Sequence, residues 1–324
     1  MRNTRRIAVA AVAAGLITAG LGTTAASAAT VGATTVGQVA GGYSFQTLDN
    51  NNDPTFNQLL GINDLGVIAG YFGSGAQGHP NKGYELLPPY QQHRYVNENF
   101  PGSVQTQVTG LNNRGVTVGF WSSMNNANQV NDNHAFVDVN GHFRTADIPT
   151  GEAAEPPVDQ LLGVNDSDIA VGFFTDAAGN NHGYEYNVNS GRFSLVTENG
   201  VASLTAAAIN DHGDVAGFYT NAAGNTDGFL KAGHSFIDLA VPGASSTQAL
   251  GVNSRDEVVG FYQTGSGDNA QSHGFTWTRA GGFRTLDDPH GIGATTINGV
   301  NDFGTLVGFY TDAAGNTDGF VATP

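Results

Sequence analysis

The sequence predicts an all-β protein, a six-bladed β-propeller with four strands in each blade. One phrase recurs along the chain: an aliphatic residue, Asn, a turn, an aliphatic strand, Gly and two aromatic residues. Its six asparagines are Asn63, Asn112, Asn165, Asn210, Asn253 and Asn301. Each repeat also holds four short segments rich in β-branched and aromatic residues, and none has a sustained helical period. Four strands in a repeat of about 40–50 residues are typical of a propeller blade.

We name the four segments of a repeat strands A to D. In the last repeat, strand A is expected at 295–300, strand B at 305–310 and strand C at 319–322. A lone D segment at 43–49 precedes the first repeat, and the last repeat lacks one. We therefore expect the N-terminal strand to pair with the last blade and to close the ring, which would protect the sheet edges.

Strand A is expected to be the innermost strand, because a small residue precedes its aliphatic–Asn pair in every repeat. These residues are Gly61, Gly110, Gly163, Ala208, Gly251 and Gly299. The repeated asparagines favour tight turns, since an Asn side chain bonds its own backbone. The alternative for them is a ring of calcium ligands. The aromatic pairs are expected to pack between blades, with sugar stacking as the alternative.

Composition excludes several functions. The 324 residues contain 28 Asp and Glu against 12 Lys and Arg, for a net charge of −16, and no cysteine. An acidic chain offers no basic surface for a nucleic acid or an anionic membrane. Disulfides and thiolate metal sites are impossible without cysteine. We expect a monomer that is not inserted in a membrane.

The first 28 residues have the pattern of a secretion signal. Arg2, Arg5 and Arg6 precede an apolar stretch at 7–21, and Ala26-Ser27-Ala28 forms a small-x-small cleavage site. A transmembrane anchor is the alternative, but the apolar run is too short for it. We therefore expect a secreted, extracellular protein of bacterial type, cleaved after Ala28. A linker at 29–42 and the propeller at 43–324 would follow.

The repeats resemble the extracellular HAF-repeat family. The triplet His134-Ala135-Phe136 has the family's namesake sequence, and His182 and His273 begin close variants of it. The resemblance covers about residues 43–324 and implies a secreted, propeller-like protein of unsettled activity, with no catalytic residue to carry over. Other blades have Lys82, Asp227 and Asp318 in place of the histidine. We expect the histidines to bond backbone groups between blades, with acid–base or metal roles as the alternatives.

Loop lengths indicate one face of the propeller as the binding face. The B–C and D–A loops vary in length, whereas the A–B turn never does, and binding sites are usually built on variable loops. The longest loops are expected at 122–133, 150–158 and 264–272. We also expect a circle of polar residues near the start of each strand A, at the mouth of the propeller's central tunnel. Its candidate binding residues are Gln58, Gln107, Gln160, Thr205, Gln248 and Thr296.

No nucleophile motif or phosphate-cradling loop occurs, so an enzyme is the less favoured hypothesis. A hydrolase or lyase would need convergent carboxylates, for which Glu152, Glu155, Asp159 and Asp268 are the candidates. Calcium is the one cofactor left open, although the loop at 49–53 departs from a calcium loop at Pro54 and Leu60. The favoured function is a binding module for an extracellular glycan or protein. A structural surface or matrix protein is the third alternative.

Overall fold

The computed structural model describes residues 36–125 and 131–324. This part is all-β, as predicted: it has 25 strands, no α-helix, and two short 3₁₀ turns at Gln92–Arg94 and Gly267–Asn269. The predicted secretion signal and its cleavage site at Ala28 lie outside the described residues, as does 126–130 of one long loop.

The strands form repeated four-stranded units, which we number 1 to 6 along the chain. The A strands are β3 (Asn57–Ile62), β7 (Gln105–Leu111), β11 (Asp159–Val164), β15 (Leu204–Ile209), β19 (Ser246–Val252) and β23 (Thr295–Val300). The B strands are β4 (Ile68–Phe72), β8 (Val116–Ser122), β12 (Ile169–Thr175), β16 (Val215–Thr220), β20 (Val258–Thr264) and β24 (Leu306–Thr311).

The C strands are β5 (Lys82–Leu86), β9 (His134–Val139), β13 (Asn181–Asn187), β17 (Thr226–Ala232), β21 (Gln271–Thr278) and β25 (Thr317–Thr323). The D strands of units 1 to 5 are β6 (Tyr95–Asn97), β10 (His142–Thr145), β14 (Arg192–Leu195), β18 (Ser235–Leu239) and β22 (Gly282–Thr285). Neighbouring strands within a unit are antiparallel, in the order A-B-C-D, and a single parallel pair between β17 and β19 joins units 4 and 5.

Unit 6 takes its fourth strand from the other end of the chain. The strand β2 (Tyr43–Thr47) pairs antiparallel with β25, with Ser44 opposite Thr323. A further strand, β1 (Val36–Ala40), pairs with β2 and gives this sheet five strands. The stretch expected as a linker at 29–42 therefore contains a strand, which lacks the repeat pattern that marked the others.

The hydrophobic core lies between neighbouring units. Leu161 and Tyr184 of unit 3 pack against Val118 and Val137 of unit 2, and Leu59 of unit 1 packs in one cluster with residues of unit 6. The A strands are packed backbone to backbone. A Cβ on Gly110 would lie 2.8 Å from the Leu162 carbonyl oxygen and 2.9 Å from the Gly163 Cα. Such crowding explains the small residue in each A strand, and the arrangement is propeller-like.

The repeated asparagines hold both the A–B turn and the next unit. The Asn112 Oδ1 accepts hydrogen bonds from the backbone N–H groups of Arg114 (2.9 Å) and Val116 (3.0 Å). Its Nδ2 donates to the Asn165 carbonyl oxygen at 2.9 Å. Every repeat has the same contacts, including one from Asn301 back to Asn63 at 3.2 Å. The predicted turn role is confirmed, and the bond between units is an addition that the turn pattern did not predict.

Within the described ranges, no helix has the length and apolar character needed to cross a membrane.

Candidate functional site

The ends of the units that carry the B–C and D–A loops form one face, which we call the loop face. On it, unit 2 holds a cluster of an aromatic ring, an imidazole and a carboxylate. Trp121 stacks on His134 with ring centroids 4.7 Å apart, because these residues are opposite each other on β8 and β9. The His134 Nδ1 lies 2.7 Å from the Asp147 Oδ2. The Asp147 Oδ1 accepts a hydrogen bond from the Ala135 N–H at 2.8 Å.

Unit 5 repeats this cluster with other residues. Tyr262 stacks on His273 at 5.2 Å, the His273 Nδ1 lies 2.8 Å from the Asp287 Oδ2, and the Asp287 Oδ1 accepts from the Gly274 N–H at 3.0 Å. In unit 3, His182 instead pairs with Asp176 of the B–C hairpin at 2.9 Å. The histidines therefore face carboxylates of their own unit, and the expectation that they bond backbone groups between units is wrong.

The clusters of units 2 and 5 are partly open to solvent. The side chains of His134 and Asp147 are 23% and 34% exposed. Phe100 from the D–A loop of unit 1 stacks on Trp121, with ring centroids 4.6 Å apart. The loop face at units 1 and 2 therefore brings together partly exposed aromatic rings and a carboxylate that accepts hydrogen bonds, two kinds of group that can contact a sugar ring.

Unit 6 has the same arrangement but a different charge. Asp318 stands where units 2, 3 and 5 have histidine, opposite Tyr310. Asp49 occupies the place of Asp147, because its Oδ1 accepts from the Gly319 N–H at 3.3 Å. Burial and the nearby Asp318 raise the pKa of Asp49 to about 7. Burial and Asp312 raise the pKa of Asp318 to about 6. These two carboxyl groups thus face each other without a histidine between them.

The D–A loop of unit 5 adds a third carboxyl group beside this pair. Asp288 is only 2% exposed. Its Oδ1 accepts from the His290 N–H at 2.8 Å, and its Oδ2 has no hydrogen-bond partner. The charge of Asp288 raises the pKa of both Tyr310 and Asp318, although burial is the larger cause in each case. The His290 ring lies 6.1 Å from that of Tyr310.

Sequence reasoning missed the role of Asp49 and Asp288. Asp288 follows Asp287, the residue that bonds strand C. The corresponding residues of units 1, 2 and 4 are Phe100, Ile148 and Val241. Unit 3 has Glu198 and unit 6 has Asn50 at this position, so aligning the repeats would not have singled out Asp288. Asp318 was noticed, but only as an exception to the histidine pattern.

The six residues predicted at the tunnel mouth are mostly buried and bonded to neighbouring side chains. The Gln107 Nε2 donates to the Asn81 Oδ1 at 2.9 Å, and the Gln160 Nε2 donates to the Asn133 Oδ1 at 2.6 Å. Thr205 accepts from Asn181 at 3.0 Å. In each of these pairs the asparagine belongs to the preceding unit. The Gln58 Oε1 accepts from the Tyr71 hydroxyl at 2.8 Å. Thr296 is buried and Gln248 is half-buried.

Among the described side chains, no hydrogen bond joins the predicted carboxylates Glu152, Glu155 and Asp159 to one another. Glu152 and Glu155 are exposed, and Asp268 lies in the 3₁₀ turn Gly267–Asn269. Asp159 is buried, accepts hydrogen bonds from the Tyr184 hydroxyl and the Ile148 N–H, and has its pKa raised to about 7 by burial. In the loop at 49–53, the Asp53 carboxylate bonds Thr55 and His79.

The opposite end of the molecule has a funnel of about 70 Å³ among the A–B turns. The residue after each repeated asparagine lines it, and these residues are Asp64, Asn113, Asp166, Asp211, Ser254 and Asp302. Most of them bond the preceding unit, as the Asp166 Oδ1 does by accepting from the Asn113 N–H at 2.8 Å. Across residues 36–125 and 131–324, no three His, Asp or Glu side chains are placed to hold one metal ion.

No protein-family model matches the chain, and no curated protein matches it. Solved structures do. A mutant of AofleA from Arthrobotrys oligospora is 9% identical, with a TM-score of 0.50 and 86% of each chain covered. A putative TolB from Agrobacterium tumefaciens is 12% identical, with a TM-score of 0.48 and coverage of 90% of this chain and 99% of that one. A chain of a nidogen/laminin complex is 13% identical, with a TM-score of 0.45 and coverage of 76% and 86%. These likenesses concern the fold alone.

Proposed function

We propose that this chain is a secreted six-bladed β-propeller, closed by the pairing of β2 with β25, which binds an extracellular glycan at its loop face. One observation carries the glycan proposal. Units 2 and 5 each present a partly exposed aromatic ring, an imidazole stacked on it and a carboxylate bonded to that imidazole. The bonds of the asparagines from unit to unit, with Asn301 returning to Asn63, support the closed ring.

The chemistry of these clusters matches a sugar better than a flat protein surface. An aromatic face offers apolar contact to the C–H groups of a pyranose ring, and a carboxylate accepts hydrogen bonds from its hydroxyls. The His–Asp bond fixes the direction of both groups before a ligand arrives, which lowers the entropy lost on binding. The resemblance to HAF-repeat proteins and the leader sequence support secretion from a bacterium.

The test is a glycan array probed with residues 29–324, followed by calorimetry with the best ligand. We expect Trp121→Ala and Tyr262→Ala each to weaken binding at least about tenfold if their clusters are occupied, since a stacked ring is lost. Phe303→Ala is the matched control, because Phe303 is 69% exposed at the opposite end of unit 6. Unchanged affinity in both cluster variants, or an array without any retained glycan, would contradict the proposal.

A further inference from the structure

Two buried carboxyl groups meet between units 1 and 2. Glu98 follows strand D of unit 1 and is 8% exposed, and Asp138 lies on strand C of unit 2 and is 5% exposed. We propose that Glu98 and Asp138 share one proton that holds the D–A loop of unit 1 against unit 2. Loss of this proton above neutral pH loosens the stack of Phe100 on Trp121. The inference rests on the proposed function only in taking that stack as part of a glycan site.

Thr117 of strand B brings the two carboxyl groups together. Its hydroxyl donates a hydrogen bond to the Glu98 Oε1 at 2.7 Å. Thr117 and Asp138 are opposite each other on β8 and β9, so their side chains project from the same face of the sheet, with Cβ atoms about 5 Å apart. The Glu98 carboxyl group lies within hydrogen-bonding reach of Asp138. Polar side chains therefore make the contact between the two units at this point.

Asp138 has a carboxylate oxygen that needs a hydrogen-bond donor. Its Oδ2 accepts from the Gly141 N–H at 2.9 Å, whereas its Oδ1 is buried and has no hydrogen-bond partner. A buried oxygen without a partner costs free energy. Two ionised carboxylates cannot satisfy each other, because both only accept. A protonated Glu98 supplies the missing donor, and one proton then serves both groups.

The repeats show that packing alone does not require polar residues here. At the position of Glu98 the other five units have buried apolar side chains, which are Leu48, Ala146, Val196, Leu239 and Leu286. At the position of Thr117 they have Ile68, Ala170, Val215, Val258 and Leu306. A carboxyl group in such a place loses its hydration. The pair of Glu98 with Asp138 therefore needs an explanation other than the filling of space.

Units 3 and 4 show a different solution at the equivalent position. The place of Asp138 is taken by Lys231 in unit 4, since both residues face the fifth residue after the repeated asparagine. The Lys231 Nζ lies 3.6 Å from the Glu198 Oε2 of unit 3. An ammonium group thus compensates the carboxylate that crosses between those units. Between units 1 and 2 a second carboxyl group occupies the place, and the shared proton provides the compensation.

The surroundings of the pair favour the protonated state below neutral pH. Burial is the largest cause that raises the pKa of Glu98 to about 7, and Asp138 and Glu85 add to it, while the bond from Thr117 opposes it. Glu85 lies on β5, and burial and the charge of Asp138 raise its pKa as well. Within residues 36–125 and 131–324, no ion pair of a lysine or arginine includes these three carboxyl groups. The proton is therefore bound in acid and lost as the pH rises through about 7.

The segment that begins at Glu98 also carries an aromatic ring of the candidate site. Phe100 is two residues further along the chain and stacks on Trp121 at 4.6 Å. Its ring centroid lies 6.0 Å from those of both Phe136 and Phe143 of unit 2. Repulsion between ionised Glu98 and Asp138 acts on this segment and pushes it away from unit 2. Binding at the stack should then be stronger in acid than in alkali.

The first test measures the proton directly. NMR follows the side-chain carboxyl carbon of Glu98 in residues 29–324 from pH 4 to pH 9, and Glu98→Gln identifies its signal. We expect a midpoint near pH 7 in the wild type. In Asp138→Asn we expect it to be lower by at least about 1 pH unit, because the neighbouring charge is gone. A wild-type midpoint near the ordinary value of about 4, or one that Asp138→Asn does not change, would overturn the inference.

The second test measures the stack by acrylamide quenching of Trp121 fluorescence in a Trp277→Phe background, which removes the other tryptophan. We expect the quenching constant to rise at least about twofold from pH 6 to pH 8, as the population with Phe100 displaced grows. Glu98→Gln should abolish the rise, because its amide donates to Asp138 at every pH and its oxygen still accepts from Thr117.

Glu185→Gln is the matched control and should keep the rise. It removes one carboxylate from strand C of unit 3, where the Ser194 hydroxyl donates to Glu185 at 3.3 Å. His134 also stacks on Trp121, and a rise caused by its titration would persist in Glu98→Gln, a result that would contradict the coupling proposed here. Neither test uses a glycan. Failure of this inference is therefore distinct from an array without any retained glycan, which would contradict the proposed function alone.

Discussion

Units 2 and 6 have the same arrangement of side chains, but they differ in the residue that faces the aspartate. In both, an aromatic residue of strand B faces a residue of strand C, and an aspartate after strand D bonds the next backbone N–H. Those bonds join Asp147 to Ala135 at 2.8 Å and Asp49 to Gly319 at 3.3 Å. The facing residue is His134 in unit 2 and Asp318 in unit 6. One residue therefore decides whether the aspartate has a proton-donating partner or a second carboxyl group.

The comparison shows that the fold determines where these side chains lie more strictly than it determines which residue types occupy those places. Strand pairing and the backbone bond hold the carboxylate in place whichever residue faces it. Unit 2 satisfies that carboxylate with His134, and its half-buried Trp121 stacks on both Phe100 and His134. In unit 6, Asp49 accepts from the Gly319 N–H and Asp318 bonds Tyr310, but neither faces a histidine of its own unit.

The largest expected effect tests whether the two units differ only at the loop face. At the opposite end they are similar, because Asn112 and Asn301 each accept two backbone hydrogen bonds and donate one to a carbonyl of the next unit. Asn112 also donates to the Asp168 Oδ1 at 3.1 Å, so its cost should be the higher of the two. We expect Asn112→Ala and Asn301→Ala each to lower the free energy of unfolding by about 2–4 kcal/mol, from at least three lost bonds and the buried groups left unpaired. Urea denaturation of each variant measures this cost.

Similar costs in units 2 and 6 would confine their difference to the loop face. If Asn301→Ala cost much less than Asn112→Ala, the contact of unit 6 with unit 1 would be weak, and the closed ring would be contradicted. Asn125→Ala is a suitable control, because Asn125 is half-buried in a loop and makes only a 3.4 Å contact to Ala76.

The sequence predicted the part of the molecule that repeats. Strands A to D, the small residues such as Gly110 and the asparagine turns recur six times, so each copy supports the others. The bond from Asn112 to the next unit was not predictable, because a turn motif carries no information about what packs beside it. The position of Asp49 beside Gly319 followed from the predicted pairing of the N-terminal strand with the last repeat, but the raised pKa that burial gives Asp49 was not predictable.

The binding site predicted at the tunnel mouth stays a prediction, and the structure shows only what its residues contact. Glutamines such as Gln107 were expected to line the tunnel mouth, and their amides are instead bonded to asparagines of the neighbouring unit. In a sequence, polar residues near the propeller axis show the same pattern whether their side chains contact a ligand or a neighbouring unit. Departures from the repeat pattern are also shared between units, since unit 4 has Asp227 at the position of Asp318 and unit 3 has Glu198 at that of Asp288.

A smaller effect is expected from giving unit 2 the facing residue of unit 6. We expect His134→Asp to lower the free energy of unfolding at pH 7 by about 1–3 kcal/mol, because Asp147 would lose its partner and gain a like charge. The loss should shrink at pH 4, where the new carboxyl pair holds protons. Thermal melts at the two pH values measure the difference.

His134→Asn is the control for this change, since it removes the imidazole without adding a charge. Its cost should be similar at pH 4 and pH 7. If both variants responded to pH alike, the charge of the facing residue would not be what separates unit 2 from unit 6.

The smallest expected effect concerns the protons bound at unit 6. The pKa of Asp49 is raised to about 7 in the folded protein, against about 4 in an unfolded chain. A raised acid pKa stabilises the fold below the unfolded value and loses that contribution as the pH rises through the folded value. Relative to the wild type, Asp49→Asn should therefore be more stable at pH 8 than at pH 5, by about 1 kcal/mol after solvent screening.

Asp176→Asn should change stability with the opposite sign. Burial raises the pKa of Asp176, but hydrogen bonds from His182 and Asn180 outweigh it and lower that pKa. Its cost should be present at pH 7 and should fade as the pH drops below about 4. Parallel pH profiles for the two variants would mean that unit 6 holds no excess of protons, and the contrast with the paired units would fail.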